Sequence, residues 1–185
     1  MSNEIMQKLP NQLTVLRVLL VPVFLILIFF DNSVTNVLSA IVFVVASVTD
    51  FIDGYLARKY RVVSDFGKIL DPIADKILVA AALISLIQID RLNAVVVIIL
   101  LSREFAVGGL RDFASSKGTI IPAGFFGKIK TAFQMTALTL LIYKNELLGI
   151  NIFLVGKILI YLSVIISVYS GFVYYRNFFR QEVNA

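Results

Sequence analysis

Between positions 13 and 30 the chain carries a single charged side chain, Arg17, in a run of 18 residues. Wound as a helix, that run spans about 27 Å, close to the roughly 30 Å hydrocarbon thickness of a bilayer. Five further apolar runs follow, over 34–56, 66–89, 92–113, 125–147 and 152–175, parted by polar connections near 31–36, 90–93 and 114–124. Backbone donors and acceptors inside a bilayer must be satisfied within the segment, so runs of this length read as helices. The expected fold is all-α, a single polytopic membrane domain over 1–185 with six transmembrane helices. Composition agrees, since 59% of the 185 residues are hydrophobic and the mean hydropathy is +0.91. No polar stretch is long enough for a second domain.

The N-terminal segment 1–9 sets Ile5, Met6 and Leu9 among polar neighbours and reads as a weak interfacial helix, with Pro10 and Asn11 opening the first span. No small-residue cleavage site follows that span, so it reads as retained and not as a signal peptide. At the other end Tyr174, Tyr175, Arg176, Asn177, Phe178, Phe179 and Arg180 form an aromatic and basic belt suited to a membrane interface. With six spans, Lys8, Arg58, Lys59, Arg61, Lys117, Lys128, Lys130, Arg176 and Arg180 fall on one side. Asp31, Asp90, Arg91, Lys144 and Glu146 fall on the other. The excess of Lys and Arg puts both termini, and the segment around 50–75, on the cytoplasmic face of the cell membrane. A net charge of +5 then reads as basic loops against anionic lipid, and no nucleic-acid partner is expected.

The second and third apolar runs meet in a segment that holds Asp50, Asp53, Asp71 and Asp75. An aspartate at the centre of a membrane helix costs about 2.5 to 3.5 kcal/mol, so four of them together need a compensating cation. Asp50 and Asp53 are three apart and Asp71 and Asp75 four apart, so each pair shares a helix face. The first pair is expected to end one helix and the second to begin the next. Pro72 leaves two readings there: Asp71 caps a helix with proline at its first position, or the proline kinks a helix begun earlier. Two helix ends with solvated acids would be the simpler reading, but the apolar flanks argue against it. The chain has no cysteine and no histidine, so thiolate and imidazole chemistry is excluded and acid–base work falls to Asp, Glu, Lys or Tyr. Oxygen ligands alone select Mg²⁺, Mn²⁺ or Ca²⁺, with Zn²⁺ less favoured. Gly54, Ala57 and Gly67 allow close approach of a ligand to the backbone, and Arg58 offers a planar fork for phosphate. The combination points to a metal-bound phosphate ester.

Asp50, Asp53, Gly54, Ala57, Arg58, Gly67, Asp71 and Asp75 spell D-x-x-D-G-x-x-A-R-x8-G-x3-D-x3-D. That pattern resembles the signature of the CDP-alcohol phosphatidyltransferase family, with every signature position filled. The resemblance implies one or two divalent ions, Mg²⁺ or Mn²⁺, held by Asp50, Asp53, Asp71 and Asp75, with Asp75 also the catalytic base. It further implies a homodimer. Candidates for the CDP-lipid site are Asn11, Thr14, Asp50, Gly54, Ala57, Arg58, Ser64 and Gly67.

Two more stretches resemble the branch of that family whose acceptor is glycerol 3-phosphate. In PNQLTVLR, residues 10–17, Asn11, Thr14 and Arg17 share a face, either as a polar wall beside the nucleotide or as a capped helix with a snorkelling arginine. In SREFAVGGLR and GKIKT, Arg103, Arg111, Lys128 and Lys130 are candidates for the acceptor's phosphate. Arg103 and Glu104 are adjacent and are not expected to pair, whereas Glu104 and Arg111, seven apart, share a face and form the alternative ion pair. The expected reaction converts CDP-diacylglycerol and glycerol 3-phosphate into phosphatidylglycerophosphate and CMP, among membrane lipids. Another acceptor (inositol phosphate, serine or phosphatidylglycerol) and an ion-coupled transporter are the alternatives.

Overall fold

The computed structural model describes the backbone of residues 3–60, 65–117, 125–146 and 149–183, and the side chains of 14–49, 73–74, 76–117, 125–146 and 149–180. Among the described residues there are six helices and no strand element: α1 Asn3–Phe29, α2 Ser33–Tyr60, α3 Asp65–Gln88, α4 Ala94–Ser116, α5 Phe125–Tyr143 and α6 Ile152–Val183. Each expected apolar run therefore has its helix. Ile152–Arg180 is the described stretch that is by itself long and apolar enough to cross a membrane, while Thr14–Phe29, Ser33–Thr49 and Lys76–Gln88 are shorter apolar stretches. The chain divides into two compact units, Met1–Ile89 with Ile142–Asn145, and Asp90–Leu141 with Glu146–Ala185.

In the first unit α1 packs on α2 and α3, and α2 on α3. Thr14, Arg17, Val21, Phe24 and Ile28 are buried along α1. Their alternating steps of three and four residues put them on one stripe. Phe24 meets Phe43 of α2 with ring centroids 6.0 Å apart. Ala40, Ala46, Ala74 and Ala82 are buried on α2 and α3, where small side chains let helices come close. Ser39, Ser47 and Ser85 each donate to a carbonyl one turn back at 2.7 Å, so their hydroxyls are satisfied inside an apolar setting. Asp31, at φ 41°, turns the chain between α1 and α2. Asn32 then caps α2 by accepting from the backbone N–H of Val34 at 3.1 Å and of Thr35 at 3.0 Å. Lys144 reaches the Asp31 carboxylate at 3.7 Å and the Asn145 amide donates to the Ser33 carbonyl at 3.4 Å, tying 142–145 to that turn.

In the second unit Asn93 caps α4 by accepting from Val95 N–H at 2.8 Å. Val107 and Ala114 of α4 pack with Tyr174 and Phe178 of α6. Arg103 bonds at Ser167 and Ser170 while Phe113 lies against Phe178, so contacts advance together and α4 and α6 run parallel. Gly156 admits α6 to α5, because a Cβ there would stand 3.1 Å from the Leu141 backbone nitrogen. Arg91 is buried and its Nη1 donates to the Leu141 carbonyl at 2.9 Å, satisfying one of the last carbonyls of α5.

Several expected boundaries move. The interfacial segment and first span form one helix from Asn3, so Pro10 does not start it. A proline removes one backbone bond, and the ladder on both sides carries the helix through that gap. The second helix runs on to Tyr60, beyond its apolar part, while the third begins at Asp65, within one residue of its expected start. Arg58 and Lys59 end the apolar run, yet both residue types are good helix formers, so the hydrogen-bond ladder continues past them. The fourth runs from Ala94 to Ser116 in place of 92–113, starting where Asn93 caps it. The fifth stops at Tyr143, where Lys144 takes φ 59°, and the sixth continues to Val183, so the aromatic belt is itself helical.

Candidate active site

The two acid pairs ride on α2 and α3, which pack together. Asp53 lies seven residues before the end of α2 and Asp71 six after the start of α3, about 10 Å along each axis. Asp50 and Asp75 each lie ten residues from the same helix ends, about 15 Å. Each pair thus lies well inside its helix and not at its end as expected. Pro72 is the eighth residue of α3, so of its two readings the interior one applies and the Lys68 carbonyl has no i+4 donor. The side chains of Asn11, Asp50, Asp53, Gly54, Ala57, Arg58, Gly67, Asp71 and Asp75 lie outside the described residues, as does Ser64 altogether. Among the described side chains no group of three or more His, Cys, Asp or Glu gathers. Asp50, Asp53, Asp71 and Asp75 remain the candidate metal ligands on their residue types, since an all-oxygen donor set fits a hard divalent ion.

The N-terminal polar residues belong to the same unit. Asn11 stands 18 residues before the end of α1 and Asp50 17 after the start of α2, about 27 and 26 Å from the turn that joins them. One turn nearer, Thr14 is buried, and Arg17 has 0% exposure. Arg17 therefore does not snorkel: its whole side chain lies within the unit that carries the acids. A guanidinium so placed is retained only with compensating partners, since desolvating an unpaired charge costs on the order of several kcal/mol.

A second constellation joins α4, α5 and α6. Arg103 donates from Nε to the Ser167 carbonyl at 3.1 Å and from Nη2 to Ser170 Oγ at 2.9 Å. Its Nη1 lies 3.7 Å from Glu104 Oε2, and that same oxygen accepts from the buried ammonium of Lys130. Two expectations are corrected here. The flexible Arg103 side chain reaches sideways to its sequence neighbour, and Glu104 takes Lys130 of α5 as its close partner in place of Arg111. Arg111 is exposed, with its guanidinium carbon 5.8 Å from the Tyr174 ring centroid, and Lys128 is exposed at the start of α5. Arg103, Glu104 and Lys130 are thus brought together, and Arg111 and Lys128 stand outside that ion-pair cluster.

Residues of α6 that sequence reasoning passed over complete the cluster. Ser163, Ser167 and Ser170 are buried at steps of four and three. Gly171 adjoins them and packs against Arg103, where a Cβ would meet Cγ at 3.2 Å. A polar stripe in an apolar helix was the available signal. Gln134, one turn beyond Lys130, is buried as well.

A family model described as CDP-alcohol phosphatidyltransferase matches residues 7–169. The chain is 40% identical over 172 residues to the CDP-diacylglycerol--glycerol-3-phosphate 3-phosphatidyltransferase of Rickettsia typhi, covering 92% of this chain and 97% of that protein. It is 41% identical over 182 residues to the protein of the same name from Bacillus subtilis, covering 92% and 94%. A chloroplastic and mitochondrial relative of that name from Arabidopsis thaliana is 38% identical over 186 residues, covering 93% of this chain and 63% of the longer protein.

Proposed function

This chain belongs to the CDP-alcohol phosphatidyltransferase family, and from that premise we propose that it transfers the phosphatidyl group of CDP-diacylglycerol to sn-glycerol 3-phosphate, with release of CMP. The observation that carries the reading is the aspartate signature, filled at every position, with its two couples on the packed helices α2 and α3. The shared name of the relatives supports the choice of donor and acceptor.

Asp50, Asp53, Asp71 and Asp75 would hold one or two divalent ions, Mg²⁺ or Mn²⁺. Such an ion, when bound, neutralises charge on the diphosphate of the donor and on the departing nucleotide. Asn11, Thr14, Gly54, Ala57, Arg58, Ser64 and Gly67 orient the CDP end of the lipid, small residues giving backbone approach and Arg58 a fork for phosphate. Asp75 takes the proton from the acceptor hydroxyl. The freed oxygen attacks the phosphorus that carries diacylglycerol, and the bond to the CMP oxygen breaks with its electron pair leaving on CMP. An aspartate is a weak base for an alcohol, so most of the acceleration comes from positioning and charge stabilisation. Arg103, Arg111, Lys128 and Lys130 give fixed positive charge for the acceptor's phosphate, with Arg111 and Lys128 exposed and the other two steadied by Glu104.

The setting is a multi-pass protein of the cell membrane with six spans, cytoplasmic termini and a cytoplasm-facing site, acting as a homodimer among membrane lipids. Large apolar side chains exposed on the helices, such as Leu19 and Ile26 on α1 and Ile165 and Phe172 on α6, support a lipid-facing surface. Purified protein given CDP-diacylglycerol and glycerol 3-phosphate should release CMP, lose that activity to a chelator, and regain it with Mg²⁺ or Mn²⁺. Asp75→Asn should abolish CMP release while CDP-lipid binding largely survives; turnover like that of the unaltered protein would remove Asp75 as the base. CMP release with inositol phosphate, serine or phosphatidylglycerol but not glycerol 3-phosphate would reassign the acceptor. Ion movement in sealed vesicles without CMP would sink the transferase reading.

A further inference from the structure

At the end of the second unit where α4 begins, Asp90, Arg91 and Asn93 of the α3–α4 connection join Lys157 and Tyr161 of α6 around a cavity of about 200 Å³. Nothing in the proposed chemistry uses it. Arg91 is buried and held in place by the Leu141 carbonyl, and the Lys157 ammonium lies 4.7 Å from the centroid of the Phe153 ring. These two cations outweigh the one carboxylate of Asp90. Asn93 gives its side-chain oxygen to the Val95 N–H, which leaves its NH₂ as a donor, and the N-terminus of α4 adds partial positive charge. By charge and donor set the cavity favours an anion. Its volume is below the roughly 300–1,000 Å³ of sites that enclose a whole small molecule, so it suits a head group whose remainder lies outside.

What adjoins the cavity identifies that remainder. Leu154, Ile158, Tyr161 and Ile165 of α6 are exposed by 55%, 53%, 50% and 66%. Their helical spacing places them on one side of α6 together with Lys157, as a stripe about 16 Å long that borders the cavity at Lys157 and Tyr161 and extends past it to Ile165. A free phosphate would match the cavity alone. We propose that this cavity binds the phosphate head group of an anionic phospholipid whose acyl chains lie along the apolar stripe of α6. Arg111, on the acceptor side of the proposed chemistry, is 17 residues along α4 from Ala94, about 25 Å away along the axis. The proposed topology puts Arg91 and Lys157 on the non-cytoplasmic side, where cations are otherwise disfavoured. A lipid phosphate there would compensate Lys157, with Arg91 adding to the field from its place against the Leu141 carbonyl.

The test is native mass spectrometry of the full-length protein in detergent, with phosphatidylglycerol, phosphatidylcholine or inorganic phosphate added. Phosphatidylglycerol should be retained in preference to phosphatidylcholine and should survive excess inorganic phosphate. Lys157→Gln should lower its retention roughly fivefold, the equivalent of about 1 kcal/mol for one basic residue near a membrane surface, while CMP release and thermal midpoint stay unchanged. Asp90→Asn should raise retention, and asparagine tolerates the left-handed φ of 56° at that position, so this variant keeps the fold. Equal retention of the two lipids, unaltered retention in Lys157→Gln, lower retention in Asp90→Asn, or displacement by inorganic phosphate would each overturn the proposal.

Discussion

Glu104 holds one oxygen between two cations, Arg103 beside it and Lys130 on α5. The Lys130 side chain is 4% exposed and that of Glu104 35%, so lysine depends on the carboxylate more than the reverse. Glu104→Gln keeps the shape and removes the charge, leaving a buried ammonium short of compensation. Breaking a fully buried pair costs about 3–5 kcal/mol, and the partial exposure of Glu104 reduces the expectation to about 1–3 kcal/mol. Thermal unfolding in detergent should show that loss for Glu104→Gln, with most of it recovered when Lys130→Met is added; additive losses would mean the pair is not coupled. None of this was legible in the sequence, because helix periodicity ranks partners along one helix and cannot see a lysine 26 positions away. Arg17 teaches the same lesson. Its spacing with Thr14 was plain, but only the packing of α1 on two other helices decided that it lies inside the unit and does not reach for a surface.

At the scale of elements, hydropathy located the helices and misjudged their lengths. The second continues past its apolar part to Tyr60, which moves Asp50 and Asp53 away from the helix end, while the third starts within a residue of its apolar run. Apolar residues mark where a helix meets lipid or core, whereas backbone bonding stops only at a breaker or a left-handed residue such as Lys144. Helix contacts are decided equally locally. At Gly156 a Cβ would meet the Leu141 nitrogen at 3.1 Å and Leu140 Cβ at 3.2 Å, so the α5–α6 approach needs glycine. Gly156→Ala should lower thermal stability by about 1–3 kcal/mol through overpacking. At Gly109 nothing lies within 4 Å, and Gly109→Ala should raise stability by up to about 1 kcal/mol through helix propensity. The two glycines are indistinguishable in sequence, so opposite signs would show that packing is what separates them.

For the molecule as a whole, topology is the property with the cleanest test, because the chain has no cysteine of its own. Ser116→Cys, at the exposed end of α4, should react with a membrane-impermeant maleimide only after cells are permeabilised, and Glu146→Cys should react in intact cells. The reverse pattern would invert the orientation and place the aspartates outside. The described elements of both units are helices, as expected of long apolar runs that satisfy their backbone groups within the segment. The family and the six helices of the described residues followed from residue order alone, since signature spacing and the length of apolar runs are properties of the chain itself. The partners of Glu104 and Arg91, the burial of Arg17, the parallel run of α4 with α6 and the charged cavity beside Lys157 did not follow. Each joins residues far apart in the chain through side-chain reach and volume, and those are settled only when helices dock against one another.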